Sequence, residues 1–183
     1  MGNRAVITTK ENFENDGIGI YLHWNGGRDS VEAFLKYCEL KGYRKPTDDC
    51  YGWACLCGVI TNYFGNGLSC GIDKVSELDC DNGDNGTYII DGWEIVNRKH
   101  FEGLEQDNYN LWACIKDINN AMPTSMRLTD EELIKANPTP FTDDEEKMVD
   151  FVRLSKEEFL ESYSYLTDEE YEATVKDVLA KVK

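Results

Sequence analysis

Cysteine and histidine are the side chains of this 183-residue chain best suited to metal binding or nucleophilic chemistry. Seven cysteines are present, and five of them cluster: Cys50, Cys55, Cys57, Cys70 and Cys80. No Cys-x-x-Cys pair occurs, and helical residues spaced like Cys55 and Cys57 would project about 200° apart. Catalysis by a thiol or hydroxyl needs an orienting histidine, and no catalytic motif accompanies His23 or His100. We therefore expect no metal, cofactor or catalytic residue, and cysteines packed as small apolar side chains.

Side-chain oxygens and glycines are concentrated between Leu78 and Thr87, with three of the carboxylates at Asp79, Asp81 and Asp84. This composition is typical of a calcium loop and equally of a tight turn. An EF-hand register fails, because with Asp79 at position 1 the ligand positions 5 and 12 fall on Gly83 and Ile90. The sequence predicts a structured turn here and leaves a calcium site of another kind open.

A glycine-rich turn joins a predicted strand to a predicted helix, and it consists of Asn25, Gly26, Gly27, Arg28, Asp29 and Ser30. It resembles the Ser-Gly-Gly-x-Asp-Ser PP-loop of ATP pyrophosphatases, with Asn25 in place of the serine. The resemblance implies a nucleotide- or phosphate-binding enzyme in which helix N-terminal amides hold the anion. PP-loop enzymes continue as a parallel α/β sheet, whereas residues 43–64 predict a polar turn and another helix. We prefer a connecting turn and keep phosphate binding as the alternative.

The elements around this turn predict the first half of a domain. Residues 4–9 and 17–23 are β-branched and apolar, which predicts a hairpin. Val31, Phe34, Leu35 and Cys38 recur with helical spacing, and we expect Asp29 or Ser30 to cap that helix and Gly42 to end it. Residues 50–64 are apolar on nearly every side, which predicts a buried helix at the centre of the core.

The second half continues with a hairpin and a helix. Asp91-Gly92 suits a type I′ turn between strands at residues 87–90 and 93–98. Residues 107–121 carry apolar side chains on one helical face. We therefore predict an α+β core domain over residues 1–122, with a small, mainly antiparallel sheet packed with helices around residues 53–64.

An acidic helical extension is predicted over residues 123–183. It contains four capping boxes, in which a serine or threonine precedes a glutamate by three residues: Thr129 with Glu132, Thr142 with Glu145, Ser155 with Glu158, and Thr167 with Glu170. Each box satisfies free amides at the start of a short helix. The sequence does not decide whether this extension docks on the core domain.

The net charge of −16 restricts the classes of partner. Such a charge repels phosphate backbones and anionic lipid, so we expect neither direct non-specific nucleic-acid binding nor membrane binding, and we expect protein partners with cationic surfaces. No apolar run reaches the roughly 20 residues of a membrane span, the first residues lack a signal-peptide pattern, and a cytoplasmic location is expected. The expected contact residues are Asp130, Glu131, Glu132, Asp143, Asp144, Glu146, Asp168, Glu169 and the surface aromatic Trp24.

Three segments carry a resemblance to other proteins: residues 2–7, 20–30 and 78–90. They resemble a group of small hypothetical proteins from gut Firmicutes, their phages and their mobile elements, over about residues 2–100. The size, acidity and setting of that group look like those of anti-CRISPR inhibitors of type II-A RNA-guided nucleases. The resemblance implies a non-catalytic inhibitor and transfers no residue roles. Such nucleases hold nucleic acid in positively charged channels, for which an acidic protein can compete.

Overall fold

The computed structural model describes residues 2–65, 69–129, 131–133 and 167. The chain divides into two units, residues 1–127 and 128–183. Residues 123–127 belong to the first unit. The Tyr37 hydroxyl donates a hydrogen bond to the Met126 carbonyl at 2.9 Å, and Lys41 Nζ donates one to the Arg127 carbonyl at 3.0 Å. The predicted domain boundary between residues 122 and 123 stays a prediction.

A five-stranded sheet lies at the centre of the first unit, in the order β3-β2-β1-β4-β5. The strands are β1 (Ala5–Thr9), β2 (Ile18–Leu22), β3 (Cys70–Lys74), β4 (Thr87–Asp91) and β5 (Glu94–Lys99). Only the β1–β4 pairing is parallel. Every residue of β1 is buried, so both faces of the sheet are covered at its centre, because successive side chains point to opposite faces. The predicted α+β class with a mainly antiparallel sheet is confirmed.

The helices of the first unit are α1 (Lys10–Glu14), α2 (Arg28–Leu40), α3 (Cys50–Phe64) and α4 (Leu111–Ala121). Short 3-10 turns follow at Val75–Glu77 and Thr124–Met126. The predicted β1–β2 hairpin is confirmed, and the polar stretch between its strands contains α1. Thr9 caps α1, because its side chain accepts a hydrogen bond from the Asn12 amide at 3.2 Å.

Helix α2 confirms the predicted apolar spacing, since Val31, Phe34, Leu35 and Cys38 are all buried. Its predicted cap is wrong. Gly27 is the N-cap and makes no side-chain cap bond. The Asp29 side chain instead accepts a hydrogen bond from the amide of the next residue, Ser30, and is not the N-cap of the helix.

Helix α3 is buried along one face only, which corrects the prediction of a helix buried on nearly every side. Trp53, Leu56, Val59 and Ile60 face the core, whereas Tyr51 is 65% exposed. Asp49 caps its first turn by accepting from the amides of Tyr51 and Gly52 at 2.9 and 3.3 Å. Apolar composition alone cannot tell a one-sided helix from a central one.

The predicted β4–β5 hairpin is confirmed, but the predicted type I′ turn at Asp91-Gly92 is wrong. Asp91 is the last residue of β4 and pairs with Glu94, so the turn residues are Gly92 and Trp93, and of these only Gly92 has a positive φ, 59°. A register irregularity lies between Ile89 and Ile90. In the second unit, the described residues confirm the first capping box. The Glu132 carboxylate accepts from the Thr129 amide at 2.8 Å, and the Thr129 hydroxyl accepts from the Glu132 amide at 3.2 Å. The other three predicted boxes lie outside the described residues, apart from Thr167 itself.

Candidate functional site

The Asn25 to Ser30 turn lies between β2 and α2, as predicted, and it packs tightly against β1. The Gly26 amide donates to the Asn3 carbonyl at 2.7 Å, and the Gly26 carbonyl accepts from the buried Tyr88 hydroxyl at 3.0 Å. A Cβ on Gly26 would lie 2.7 Å from the Arg4 carbonyl carbon. The glycine is therefore explained by close contact between backbones, without any ligand.

Oxygens of the chain itself occupy donors at the N-terminus of α2. The Ser30 amide donates to Asp29 Oδ1 at 2.7 Å, and the Asp29 amide donates to Gln106 Oε1 at 3.4 Å. Arg28 forms ion pairs with Glu32 at 3.4 Å and with Glu105 at 3.2 Å. A phosphate at this place would meet engaged donors and three nearby carboxylates, those of Asp29, Glu32 and Glu105.

The sheet around the turn also differs from a PP-loop fold. Strand β2, which precedes the turn, is antiparallel to both of its neighbours, β1 and β3. A PP-loop enzyme would have parallel strands there. Phosphate binding by residues 25–30 stays a prediction, and the contacts at the turn do not favour it.

Arg98 forms a second charged cluster beside the turn, together with Glu105. Its guanidinium lies over the rings of Tyr88 and Phe101, at 4.3 and 3.4 Å from their centroids, and its side chain is 7% exposed. It donates to the Asn85 carbonyl at 2.8 Å and to Glu105 Oε2 at 2.8 Å. Stacking and these hydrogen bonds account for a buried cation, so we assign Arg98 a structural role.

The oxygen-rich Asp79 to Asp84 segment holds an arginine. Arg4 Nε lies 2.7 Å from Asp84 Oδ2, and Arg4 Nη1 lies 3.6 Å from Asp79 Oδ2. The Asn82 side chain organises the turn by accepting from the amides of Asp84 and Gly86 at 3.1 and 3.0 Å. The predicted structured turn is confirmed, and the Arg4 guanidinium engages two of its three carboxylates, those of Asp79 and Asp84.

Replacing Asp84 by asparagine is expected to destabilise the protein at neutral pH and to have little effect in acid. The hydrogen bond from Arg4 lowers the pKa of Asp84. A lowered folded-state pKa gives stability that is present above the unfolded value of about 3.9 and is lost as the pH falls through the folded value. Urea midpoints of the parent and of Asp84→Asn, measured at neutral pH and at the lowest pH where both fold, should converge.

Asp81→Asn is the matched control for this prediction, because Asp81 is exposed in the same turn and forms no ion pair with the described residues. It should leave the urea midpoint unchanged at both pH values. A difference between Asp84→Asn and the parent that persists undiminished in acid would show that the carboxylate charge is not what stabilises the turn.

The seven cysteines are all free thiols. Cys38 is the only one fully buried, so the predicted core packing holds for Cys38, whereas Cys50 is exposed and the others are half-buried. Burial raises the pKa of Cys57 to about 12 and that of Cys70 to about 11, which keeps both thiols protonated. Within the described part of the chain, no group of three or more His, Cys, Asp or Glu side chains is arranged to hold a metal ion.

Neither histidine is part of a catalytic arrangement among the described residues. His23 lies exposed at the end of β2 with its ring 5.2 Å from that of Trp24 in an edge-on contact, and the His100 ring lies 6.4 Å from Phe13. No hydroxyl or thiol of the described residues bonds to either imidazole. The predicted exposure of Trp24 is confirmed, at 44%.

An acidic cleft of about 640 Å³ lies between α1, the segment before α3 and the end of β4, and sequence reasoning missed it. Its lining carboxylates are those of Glu11, Glu14, Asp48, Asp49 and Asp91, and its lining cation is Lys10. Trp53, Pro46, Ile18, Ile90 and Val96 give it apolar walls. The cleft could accept the apolar stem of a lysine or arginine while carboxylates meet its charged end.

Several of these carboxylates are not engaged by the chain itself. Asp49 pairs with Arg44 at 2.6 Å, and Glu14 lies 3.9 Å from Lys10. Glu11, Asp48 and Asp91 are exposed and form no ion pair with the described residues. Sequence reasoning missed the cleft because its three segments are far apart in the chain, although the adjacent Asp48 and Asp49 before α3 were a local signal.

The predicted contact residues of the acidic extension are described only in part. Glu131 and Glu132 are exposed, and Glu132 caps its helix. The remainder lie outside the described residues: Asp130, Asp143, Asp144, Glu146, Asp168 and Glu169. No helix in the described part of the chain is long and apolar enough to cross a membrane.

Comparison with protein-family models, curated proteins and solved structures found no match to this chain.

Proposed function

We propose that this protein is a non-catalytic acidic inhibitor, of phage or mobile-element origin, that binds a nucleic-acid-handling enzyme of its host. An RNA-guided CRISPR nuclease of type II-A is the proposed target. The observation that carries the proposal is the acidic cleft, where Glu11, Asp48 and Asp91 are exposed beside apolar walls and form no ion pair with any residue that the structure describes.

A cationic groove of the target fits this surface physically. Enzymes that handle nucleic acid line their channels with lysine and arginine, and an acidic protein competes with phosphates for those side chains. The net charge of −16 would speed the encounter at low salt and repel nucleic acid itself. Packing of the aliphatic stem of a target lysine against Trp53 and Pro46 would add an apolar contact at the centre of the interface.

The acidic extension is the second proposed contact surface. Its clusters at residues 130–132, 143–146 and 168–169 would supply further carboxylates to the cationic groove of the target, and Trp24 is a candidate aromatic anchor. Glu132 serves its capping box, so its removal would weaken a helix as well as an interface.

Neutralising the unpaired cleft carboxylates is expected to weaken inhibition about tenfold, because three partly exposed ion pairs worth about 0.5 kcal/mol each sum to about 1.5 kcal/mol. The variant is Glu11→Gln, Asp48→Asn, Asp91→Asn, which leaves the cap residue Asp49 intact. A parallel variant, Asp143→Asn, Asp144→Asn, Glu146→Gln, tests the extension and leaves the box residue Glu145. Nuclease cleavage titrated with inhibitor at several salt concentrations measures both the strength and the salt dependence of inhibition.

The matched control is Glu77→Gln, Asp81→Asn, Glu102→Gln, which removes the same charge from exposed positions outside the cleft. Equal weakening by the control would mean that only overall charge matters and would remove the cleft from the proposal. Inhibition should also reach completion at a fixed ratio of the two proteins. Progressive loss of nuclease activity with sub-stoichiometric protein would indicate a modifying enzyme and overturn the binding proposal.

A further inference from the structure

The outer edge of strand β3 is unpaired by any described strand. Among the strands that the structure describes, β3 is the terminal one and pairs only with β2. The His23 amide donates to the Ser69 carbonyl, and the Val75 amide donates to the Gly17 carbonyl, both at 2.9 Å. Because bonded positions alternate along an antiparallel strand, the backbone groups of Gly71 and Asp73 face β2 and those of Cys70, Ile72 and Lys74 face outward.

This edge is less protected than the other edge of the sheet. Ile72, at its middle, is 51% exposed. The Lys74 amide donates a hydrogen bond to Asp73 Oδ1 at 2.8 Å, so only this one outward-facing amide, at the end of the strand, is already used. Strand β5, at the opposite edge, contains a register irregularity and is rich in charged residues, both of which discourage pairing.

We propose that β3 pairs antiparallel with β3 of a second copy of this chain, across a two-fold axis at Ile72. In that register the Ile72 amide of each copy donates to the Ile72 carbonyl of the other, and each Cys70 amide donates to the opposite Lys74 carbonyl. Neither bond needs the engaged Lys74 amide. The two sheets join into one continuous sheet with a closed, isologous interface.

The side chains of β3 are self-complementary in this register. Ile72 meets its own copy, which covers the exposed apolar side chain. Asp73 lies opposite Gly71, whose Cα faces open space, and Lys74 lies opposite Cys70. No like charges are directly opposed. A register centred one residue later would place Asp73 against Asp73, which opposes like charges at the axis.

The net charge of −16 per copy opposes association at long range, so added salt should strengthen the dimer. This dependence is opposite in sign to that proposed for inhibitor binding, where salt weakens attraction to a cationic partner. Failure of one proposal is therefore distinguishable from failure of the other.

Sedimentation of the full chain in reducing buffer, over a range of protein and salt concentrations, tests the proposal. The expected mass rises from one chain to two with protein concentration, and the transition moves to lower concentration as salt is added. Hydrogen exchange should show the Cys70 and Ile72 amides slowing in proportion to the dimer fraction, while the Gly71 and Asp73 amides, bonded to β2, stay protected throughout.

Ile72→Lys would place two ammonium groups at the two-fold axis and should keep the chain monomeric without unfolding it, because the side chain is exposed. Val96→Lys is its control, since Val96 is 55% exposed on the opposite edge strand and should leave the dimer intact. A parent chain that stays monomeric throughout, or a dimer broken by Val96→Lys and not by Ile72→Lys, would overturn the proposal.

Discussion

Gly52→Ala is expected to lower the free energy of unfolding by at least about 2 kcal/mol. A Cβ on Gly52 would lie 2.5 Å from the Pro46 nitrogen and closer still to the Lys45 carbonyl group. These are backbone atoms, and the proline ring fixes φ at that point, so the clash can be relieved only by moving α3 from the segment before it. Urea denaturation of the purified variant measures the loss.

Gly58→Ala in the same helix is the matched control. Its Cβ would contact only the Met126 Cε atom, at 3.9 Å. Alanine is the better helix former, so this substitution should stabilise the protein by about 0.5–1 kcal/mol. Opposite signs at the two positions would attribute the cost to the contact with residues 45 and 46. A loss of stability at both would contradict that explanation.

The same contact shapes the acidic cleft, because residues 46–50 form one of its walls and lie directly before Gly52. In Gly52→Ala molecules that still fold, Asp48 should therefore be displaced relative to Glu11 and Asp91. Weaker inhibition by that fraction, measured beside Gly58→Ala, would link the local packing of α3 to the proposed binding surface.

Gly86→Ala is expected to cost at least about 3 kcal/mol, the largest effect of any single substitution considered for the 79–86 turn. Gly86 has φ of 64°, and a Cβ there would lie 2.7 Å from the His100 carbonyl carbon and closer still to the carbonyl oxygens of Lys99 and His100. The Gly86 carbonyl also accepts from the Val6 amide at 2.9 Å. Strain at this point would therefore disturb the junction of β1, β4 and β5.

Gly83→Ala separates backbone strain from the clash. Gly83 has φ of 68°, nearly the same as Gly86, and nothing lies within 4 Å of its Cβ position. Its replacement should cost only about 1 kcal/mol, the penalty for an alanine in the left-handed region. The free energies of unfolding of the two variants, measured by thermal and urea denaturation, should differ by the energy of the contacts with residues 99 and 100. Equal losses would show that φ alone matters.

Local sequence signals predicted the elements that close over short distances. The spacing of Val31, Phe34, Leu35 and Cys38 predicted α2 because a helix buries every third or fourth residue. Gly92 predicted the β4–β5 hairpin because its turn needs a residue that accepts positive φ, although the turn lies one residue later than predicted, at Gly92 and Trp93. The Thr129 and Glu132 box predicted a helix start because its reciprocal bonds lie within four residues. In each case the deciding interactions are contained in one segment.

Strand β3 shows why other elements could not be predicted. It has only five residues, and its two apolar side chains, Cys70 and Ile72, are too few to establish a strand pattern. They form a strand because β2, about fifty residues earlier in the chain, offers them backbone hydrogen bonds. The parallel pairing of β1 with β4 depends in the same way on contacts between segments far apart in sequence.

The sequence by itself determined the α+β class, the net charge, the main helices and the hairpins, because these follow from composition and from contacts between near neighbours. Only the tertiary structure decided which acidic side chains meet in a cleft and which are already paired. Asp84 and Asp49 look equivalent to Asp48 in the sequence, yet the former two are engaged by Arg4 and Arg44 while Asp48 faces solvent. The partner of Asp49 is five residues away in the chain, but that of Asp84 is 80 residues away, so no local pattern encodes which cation Asp84 meets after folding.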